Sequence, residues 1–353
     1  MTATHSTDPV SSETDASVEA ALAAGRAHED AGRVLEAVAA YDDAQRLRPD
    51  ADLAYRIVHL RHASMAAAPP GGGPAVWPRD LPDPFPGASE LPEIEPGALD
   101  AATLGGAIVN HGCLLVRGFQ PEATADHLRE MVIRSIEARD RAVEGEPEPD
   151  DDTWYRRFLP DHWDTGRERH WVRRNGGMLM VDSPLVMWEV LDSYARAGAV
   201  DAITDYFGER AALSSHKSVL RKALDGRPTW HQDGSFLGEG VRSVDVWLAL
   251  SHCGPGTDAP GLDVVPRRVD RILDTQTEGA TYSIEIGQPL VDAAGDGRSW
   301  VSPTFAPGDA LFFDERFVHR SGHMEGATAH RYAIESWFFA VSTVPGPYVP
   351  ILV

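Results

Sequence analysis

The sequence is poor in cysteine, in basic side chains and in long apolar runs. Only Cys113 and Cys253 occur among 353 residues. They lie far apart, so a disulfide framework is excluded and a reducing compartment fits. Thirty-two Lys and Arg stand against 54 Asp and Glu, a formal charge of −22, which argues against nucleic acid or an anionic membrane as a partner. No apolar stretch approaches the roughly 20 residues that span a bilayer, and the N-terminus lacks the basic and apolar regions of a secretory signal. A cytoplasmic protein that acts on a small molecule is expected.

The first 90 residues differ in composition from the rest. Residues 1–17 are polar and acidic and are predicted to form a disordered tail. Residues 18–51 match the 34-residue tetratricopeptide pattern, and residues 18–66 are predicted to form a small α-helical hairpin; the matching positions are Gly25, Ala37, Tyr41, Ala44 and Pro49. Proline and glycine dominate residues 67–90, which are predicted to be a linker.

A single tetratricopeptide-like hairpin cannot bury its own apolar face. It must therefore pack on the remainder of the chain, on a second copy of the chain or on a protein partner. A docking role and a purely structural role both stay open for residues 18–66.

Residues 91–353 contain many short strands separated by Gly, Pro and Asp turns. This pattern predicts a mainly β domain, an antiparallel barrel or jelly roll, with flanking helices. The predicted strands are 112–119, 243–250, 281–286, 308–314 and 331–339, and the predicted helices are 100–110, 123–143 and 184–207.

His231 and Asp233 form a His-x-Asp pair, and His319 follows further along the chain. Residues two apart on a strand point to the same face, so the first two side chains can reach one metal. Two imidazoles and one carboxylate on one side of a metal are the donor set of a non-haem Fe(II) centre that activates O2. His252, His323 and His330 are also nearby in sequence and are expected to have surface or structural roles.

Arg331 opens an alternating, largely apolar strand that also carries Glu335. A buried guanidinium needs an anionic partner, and a carboxylate matches its geometry. A salt bridge to Glu335 is one interpretation. A bound dicarboxylate is favoured here because Arg331 follows a candidate iron ligand.

Together, the His231-Gln232-Asp233 triplet, the His319-x-Ser321-Gly322 segment and Arg331 resemble the phytanoyl-CoA dioxygenase family of Fe(II)/2-oxoglutarate-dependent oxygenases. The resemblance covers about residues 91 to 353 and implies a double-stranded β-helix, a cupin-like jelly roll. It implies that His231, Asp233 and His319 bind Fe(II) and that Arg331 and Ser321 hold the distal carboxylate of 2-oxoglutarate.

Three further residues are candidates for binding the cosubstrate. Trp247 lies on the strand face that looks onto the cosubstrate pocket in the resembled family. Lys217 and Arg221 precede the first ligand by a strand and a turn, so either could reach the cosubstrate, although a solvated strand edge is the simpler interpretation.

The implied reaction consumes O2 and 2-oxoglutarate, releases succinate and CO2, and hydroxylates an unactivated C–H bond of a lipid, an amino acid or a specialised metabolite. Desaturation and cyclisation use the same cofactors and stay open, as does a non-catalytic interaction protein with a degenerate barrel. The carboxylate of Asp233 argues against halogenation, which needs a small residue there to leave room for chloride.

Residues 144–182 form a long irregular segment, which is typical of a lid or binding loop. Aromatic and Arg side chains interleave there and could hold an anionic or planar substrate. A surface network of Arg and Asp is the alternative. The candidate substrate residues are Trp154, Arg156, Arg173 and Arg174.

Overall fold

The structure is a computed structural model that describes residues 9–68, 72–144, 153–160, 166–215, 217–224, 229–238, 240–346 and 348–353. Its helices are α1 (Pro9–Asp30), α2 (Val34–Leu47), α3 (Ala51–Ala63), α4 (Ala101–His111), α5 (Glu122–Glu144), α6 (Gly166–Arg174), α7 (Pro184–Arg196), α8 (Ala199–Phe207), α9 (Gly234–Leu237) and α10 (Gln288–Ala294). None of these helices combines the length and the apolar character that crossing a membrane requires.

The strands form a large mixed sheet and a small antiparallel one. In the large sheet the order is β1-β2-β8-β6-β10-β4-β11, with β5 also paired to β10 and β3 paired to β5, and β7 pairs with β9 in the small sheet. The strands are β1 (Glu93–Ile94), β2 (Cys113–Val116), β3 (Gly177–Leu179), β4 (Ala211–Ser214), β5 (Val219–Ala223), β6 (Ser243–Ala249), β7 (Leu262–Val264), β8 (Ala310–Phe313), β9 (His319–Ser321), β10 (Arg331–Ala340) and β11 (Pro350–Leu352).

Strand β10 has two faces with different surroundings. Ile334 and Phe338 belong to the main core, which lies between the large sheet and α4, α5, α7 and α8. The alternate residues Ala333 and Phe339 belong to two smaller apolar clusters. This period-two alternation gives the sheet a helix-covered face and a second face that is available for a site.

The three N-terminal helices pack on the rest of the chain. Gly25 allows a close contact between α1 and α2, because a Cβ there would lie 2.3 Å from the Tyr41 ring. Trp188 of α7 joins the apolar cluster of α2 and α3, and its Nε1 donates to Asp42 Oδ1 (2.8 Å). Arg61 Nη1 donates to the Leu352 carbonyl of β11 (3.1 Å). Among the three partners considered for this segment, the structure shows packing on the remainder of the chain.

Several predicted elements need correction. Helix α1 begins at Pro9, so the predicted disordered tail is wrong for residues 9–17, while residues 1–8 lie outside the described part. Proline fits the first turn because its missing N–H has no partner there. The predicted strand 281–286 is a turn instead, in which the Glu285 carboxylate accepts from the backbone N–H of Tyr282 (3.1 Å).

Other expectations for this domain agree with the structure in part or stay untested. Helices flank the sheet as predicted, although more residues lie in helices than in strands, so "mainly β" describes the core rather than the chain. Helix 184–207 is divided at Gly198 into α7 and α8. The double-stranded β-helix arrangement, the tetratricopeptide assignment and the domain limits stay predictions.

Candidate metal centre

Backbone pairing brings the two candidate histidine ligands together. The N–H of His231 donates to the carbonyl of His319 (3.0 Å), and the N–H of His319 donates to the carbonyl of His231 (3.1 Å). This antiparallel bridge continues the β7–β9 sheet, in which Val264 pairs with His319. The two imidazole centroids lie 4.4 Å apart.

Both imidazoles are held in the tautomer that suits a metal ligand. His231 Nδ1 lies 2.8 Å from the Thr229 carbonyl, and His319 Nδ1 lies 3.0 Å from the Phe317 carbonyl. Since a carbonyl can only accept, each Nδ1 carries the proton and each Nε2 keeps its lone pair. Burial lowers the pKa of His231 to about 4, with the charge of His319 adding to the effect, and burial also lowers the pKa of His319. Both rings are therefore neutral at pH 7.

Asp233 completes the group from the N-terminus of α9. Its Oδ1 lies 3.7 Å from His231 Nε2, and one ligand atom from each of His231, Asp233 and His319 lies within 4.8 Å of the other two. The intervening Gln232 points the opposite way, where its amide is fixed by Arg271, Leu273 and Arg316. The strand-like His-x-Asp alternation thus places both ligands on one side.

A second buried carboxyl, Asp245 of β6, lies beside Asp233. Burial and the charge of Asp233 raise the pKa of Asp245 well above its usual range, and the side chains of Asp245 and Asp233 are hydrogen-bonded to each other. Burial raises the pKa of Asp233 too, and that hydrogen bond opposes the rise. A divalent cation bound at Asp233 would favour its ionised form. The donor set of two Nε2 atoms and one carboxylate, with Asp245 orienting the carboxylate, fits Fe(II).

Arg331 is buried without a counter-ion. Its Nη1 donates to the Gly261 carbonyl (2.6 Å) and its Nη2 to Ser321 Oγ (3.3 Å). Within the described ranges no carboxylate lies within 4.0 Å of it. The Arg331 Nε and the nearby Trp247 Nε1 are both buried without a hydrogen-bond partner there, and the Arg331 guanidinium carbon lies 5.7 Å from the Trp247 ring centroid. These unused donors are of the kind that the distal carboxylate of 2-oxoglutarate requires.

Glu335 does not neutralise Arg331. It accepts a bidentate pair from Arg221 instead, with Nε to Oε1 at 2.9 Å and Nη2 to Oε2 at 2.7 Å. Burial alone would raise the pKa of Glu335, but the Arg221 guanidinium lowers it below its usual value. The alternative Arg331–Glu335 bridge is therefore wrong, and Arg221 is already occupied by Glu335.

Lys217 lies apart from Arg331, although both are candidates for cosubstrate binding. Its Nζ is 5.8 Å from the ring centroid of Trp337. Trp337 is six residues beyond Arg331 on β10, about 20 Å at roughly 3.3 Å per residue. The structure thus brings Ser321, Trp247 and Arg331 together but not Lys217.

The predicted substrate residues have varied surroundings. Arg156 donates to Asp52 (2.7 Å) and its guanidinium lies 3.6 Å from the centroid of Tyr55, so it joins the N-terminal helices rather than a substrate pocket. Trp154 packs against the main core under Arg134. Arg173 and Arg174 are exposed on α6. Parts of the predicted lid, 145–152 and 161–165, lie outside the described residues.

The geometry defines a class, that of mononuclear non-haem iron oxygenases with a carboxylate cosubstrate. The family profile of phytanoyl-CoA dioxygenase (PhyH) matches residues 109–331, and the chain belongs to this family. Fe(II), O2 and the cosubstrate 2-oxoglutarate are its cofactors, as predicted. No curated protein matches the chain.

Three solved structures illustrate the similarity. EctD from S. alaskensis, solved with bound Fe, is 17% identical over 66% of this chain and 74% of that chain, with a TM-score of 0.46. AviO1 from Streptomyces viridochromogenes Tue57 is 17% identical over 71% and 99%, with a TM-score of 0.43. SnoK, a non-heme alpha ketoglutarate dependent carbocyclase from nogalamycin biosynthesis, is 14% identical over 65% and 80%, with a TM-score of 0.41.

Sequence reasoning assigned no role to Asp245 and did not predict the Arg221–Glu335 pair. Asp245 could have been noticed as a carboxylate on an otherwise apolar strand. The Arg221–Glu335 pair depends on the register between β5 and β10, in which Ala333 lies opposite Arg221. His252, His323 and His330 are exposed, in agreement with the surface roles expected for them.

Proposed function

We propose that this protein is an oxygenase that hydroxylates an unactivated C–H bond of a small molecule, with His231, Asp233 and His319 as its iron ligands. The observation that carries the proposal is the group of three ligand atoms within 4.8 Å of one another, together with a buried Arg331 for which the described residues supply no counter-ion within 4.0 Å. A degenerate barrel would have no reason to keep both features.

One group of residues would hold the metal, and a second group would bind the cosubstrate. The Thr229 and Phe317 carbonyls hold the two imidazoles through Nδ1, which would leave each Nε2 free to bind the metal, and Asp245 would orient the Asp233 carboxylate. Bound Fe(II) supplies O2 activation and the oxidative decarboxylation of 2-oxoglutarate to succinate and CO2.

Arg331, Ser321 and Trp247 would bind the distal carboxylate of the cosubstrate. Arg331 is only 3% exposed, so its ion pair with a carboxylate is shielded from water and strengthened. The Arg221–Glu335 pair keeps a second cation from competing for the same carboxylate. Arg331 is therefore the cation that would pair with the distal carboxylate of 2-oxoglutarate.

Turnover with a metabolite extract tests this proposal. The protein, Fe(II), 2-oxoglutarate and O2 should release succinate faster when the extract contains a substrate, and mass spectrometry should find a product that gained one oxygen atom. Loss of two hydrogens without gained oxygen would instead indicate desaturation or cyclisation, and no stimulation by any extract would contradict the proposal.

A further inference from the structure

Lys217 lies in a cage of four aromatic rings that the cosubstrate site does not use. Its Nζ is 4.6 Å from the centroid of Phe236, 5.6 Å from those of Trp171 and Tyr348, and 5.8 Å from that of Trp337. The rings come from α6, α9, β10 and the segment before β11. Four separate parts of the chain thus converge on one ammonium.

The cage adjoins the proposed metal ligands. Phe236 follows Asp233 by one turn of α9, and Trp337 lies opposite Asp245 in the β10–β6 register. Among the acidic groups, Asp233 acts most strongly on the charge of Lys217. A molecule in the cage would therefore lie next to the ligands, at the end of β10 opposite Arg331.

The ammonium lacks a close counter-ion. Across the part of the chain that the structure describes, no carboxylate lies within 4.0 Å of Lys217 Nζ. Burial lowers its pKa. Contacts with ring faces offset only part of what desolvating an ion costs. A purely structural role would be served as well by an apolar side chain.

We propose that Lys217 and its cage bind the substrate, and that this substrate carries an acidic group next to a flat apolar ring. The ammonium binds the acid, and the rings, with Trp171 half exposed at 52%, provide flat apolar surfaces. The positive charge of Lys217 also disfavours a cationic molecule at this position. The inference rests on the proposed function, because it assigns the pocket for the molecule to be oxidised.

Binding of matched probes, without turnover, tests the inference. Calorimetry on the full chain with Mn(II) and saturating N-oxalylglycine, which occupies the Arg331 site, would compare 2-naphthoate with its uncharged isostere 2-naphthamide. The acid should bind at least roughly tenfold more tightly than the amide. Lys217→Met should remove the preference and Lys217→Arg should keep it. Arg210→Met, which removes an exposed cation just before β4, is the matched control and should change nothing.

Equal binding of the acid and the amide to the wild-type protein would overturn the inference, as would a preference that survives in Lys217→Met. If Lys217→Met does not fold, Lys217→Gln gives the same comparison, and the wild-type measurement needs no variant. Because no turnover is involved, these results stand apart from succinate release, whose absence would contradict the proposed oxygenase function instead.

Discussion

Replacing Arg331 by Met should weaken cosubstrate binding without lowering the stability of the fold. The guanidinium is buried, and its Nε and the Trp247 Nε1 lack partners among the described residues. A 2-oxoglutarate carboxylate would gain charge-assisted bonds there, so the variant should lose about 2 to 4 kcal/mol of cosubstrate binding. That loss corresponds to a roughly 30- to 700-fold weaker affinity.

The same substitution should not destabilise the protein without cosubstrate. An unneutralised buried cation is replaced by an apolar side chain of similar length, which is neutral or stabilising. Thermal melts should show an equal or higher melting temperature for Arg331→Met, with a much smaller upward shift on adding Mn(II) and 2-oxoglutarate.

Arg320→Met provides the matched control. Arg320 neighbours Ser321 on β9 but pairs with Asp263 (2.8 Å) and stacks on Trp230, so its loss should leave the cosubstrate shift intact. An unchanged shift in Arg331→Met, or an equal loss in both variants, would refute the assignment of Arg331.

Three further predictions concern stability. A chain that starts at Glu90 should have a melting temperature more than about 5 °C below that of the full chain, and it should aggregate. The reason is that Trp188, which is 4% exposed, would lose the N-terminal helices that cover it; an unchanged melting temperature would contradict this. Asp42→Ala should give part of the same loss, about 2 kcal/mol in a denaturant titration, since Asp42 accepts from Trp188 and Arg61; a loss below about 0.5 kcal/mol would oppose it. Burial raises the pKa of the Glu315 carboxyl from 4.5 to about 8. Its contribution to the free energy of unfolding is therefore fully present below pH 4.5, and it is lost as the pH rises to about 8. Glu315→Gln should remove that decline, which is at most about 1.4 kcal/mol per pH unit, in denaturant titrations across this range; an identical pH dependence would argue against it.

Local patterns predicted that His231, Asp233 and His319 lie together, whereas features that depend on long-range packing could not be predicted. The His-x-Asp spacing of His231 and Asp233 has a direct geometric meaning on a strand, so it could be read without a structure. The pairing of Glu335 with Arg221 rather than Arg331 depends on strand register. The cage of Lys217 depends on four distant segments meeting, for which no local pattern exists.

The N-terminal helices show the same limit. Their small residues predicted close helix packing, and Gly25 against Tyr41 shows such a contact. Which surface they cover depends on groups far along the chain, such as the Trp188 side chain and the Leu352 carbonyl. Sequence periodicity marks an apolar face but not its partner.

The most direct test of the central claim is Fe(II)-dependent release of succinate from 2-oxoglutarate, measured alongside anaerobic Fe(II) binding. The wild-type protein should bind about one Fe(II) per chain and release succinate only when Fe(II) is present. Asp233→Ala and His319→Ala should lose both properties, whereas His323→Ala, which removes an exposed histidine, should keep them. Succinate release at the wild-type rate by either ligand variant would contradict the account.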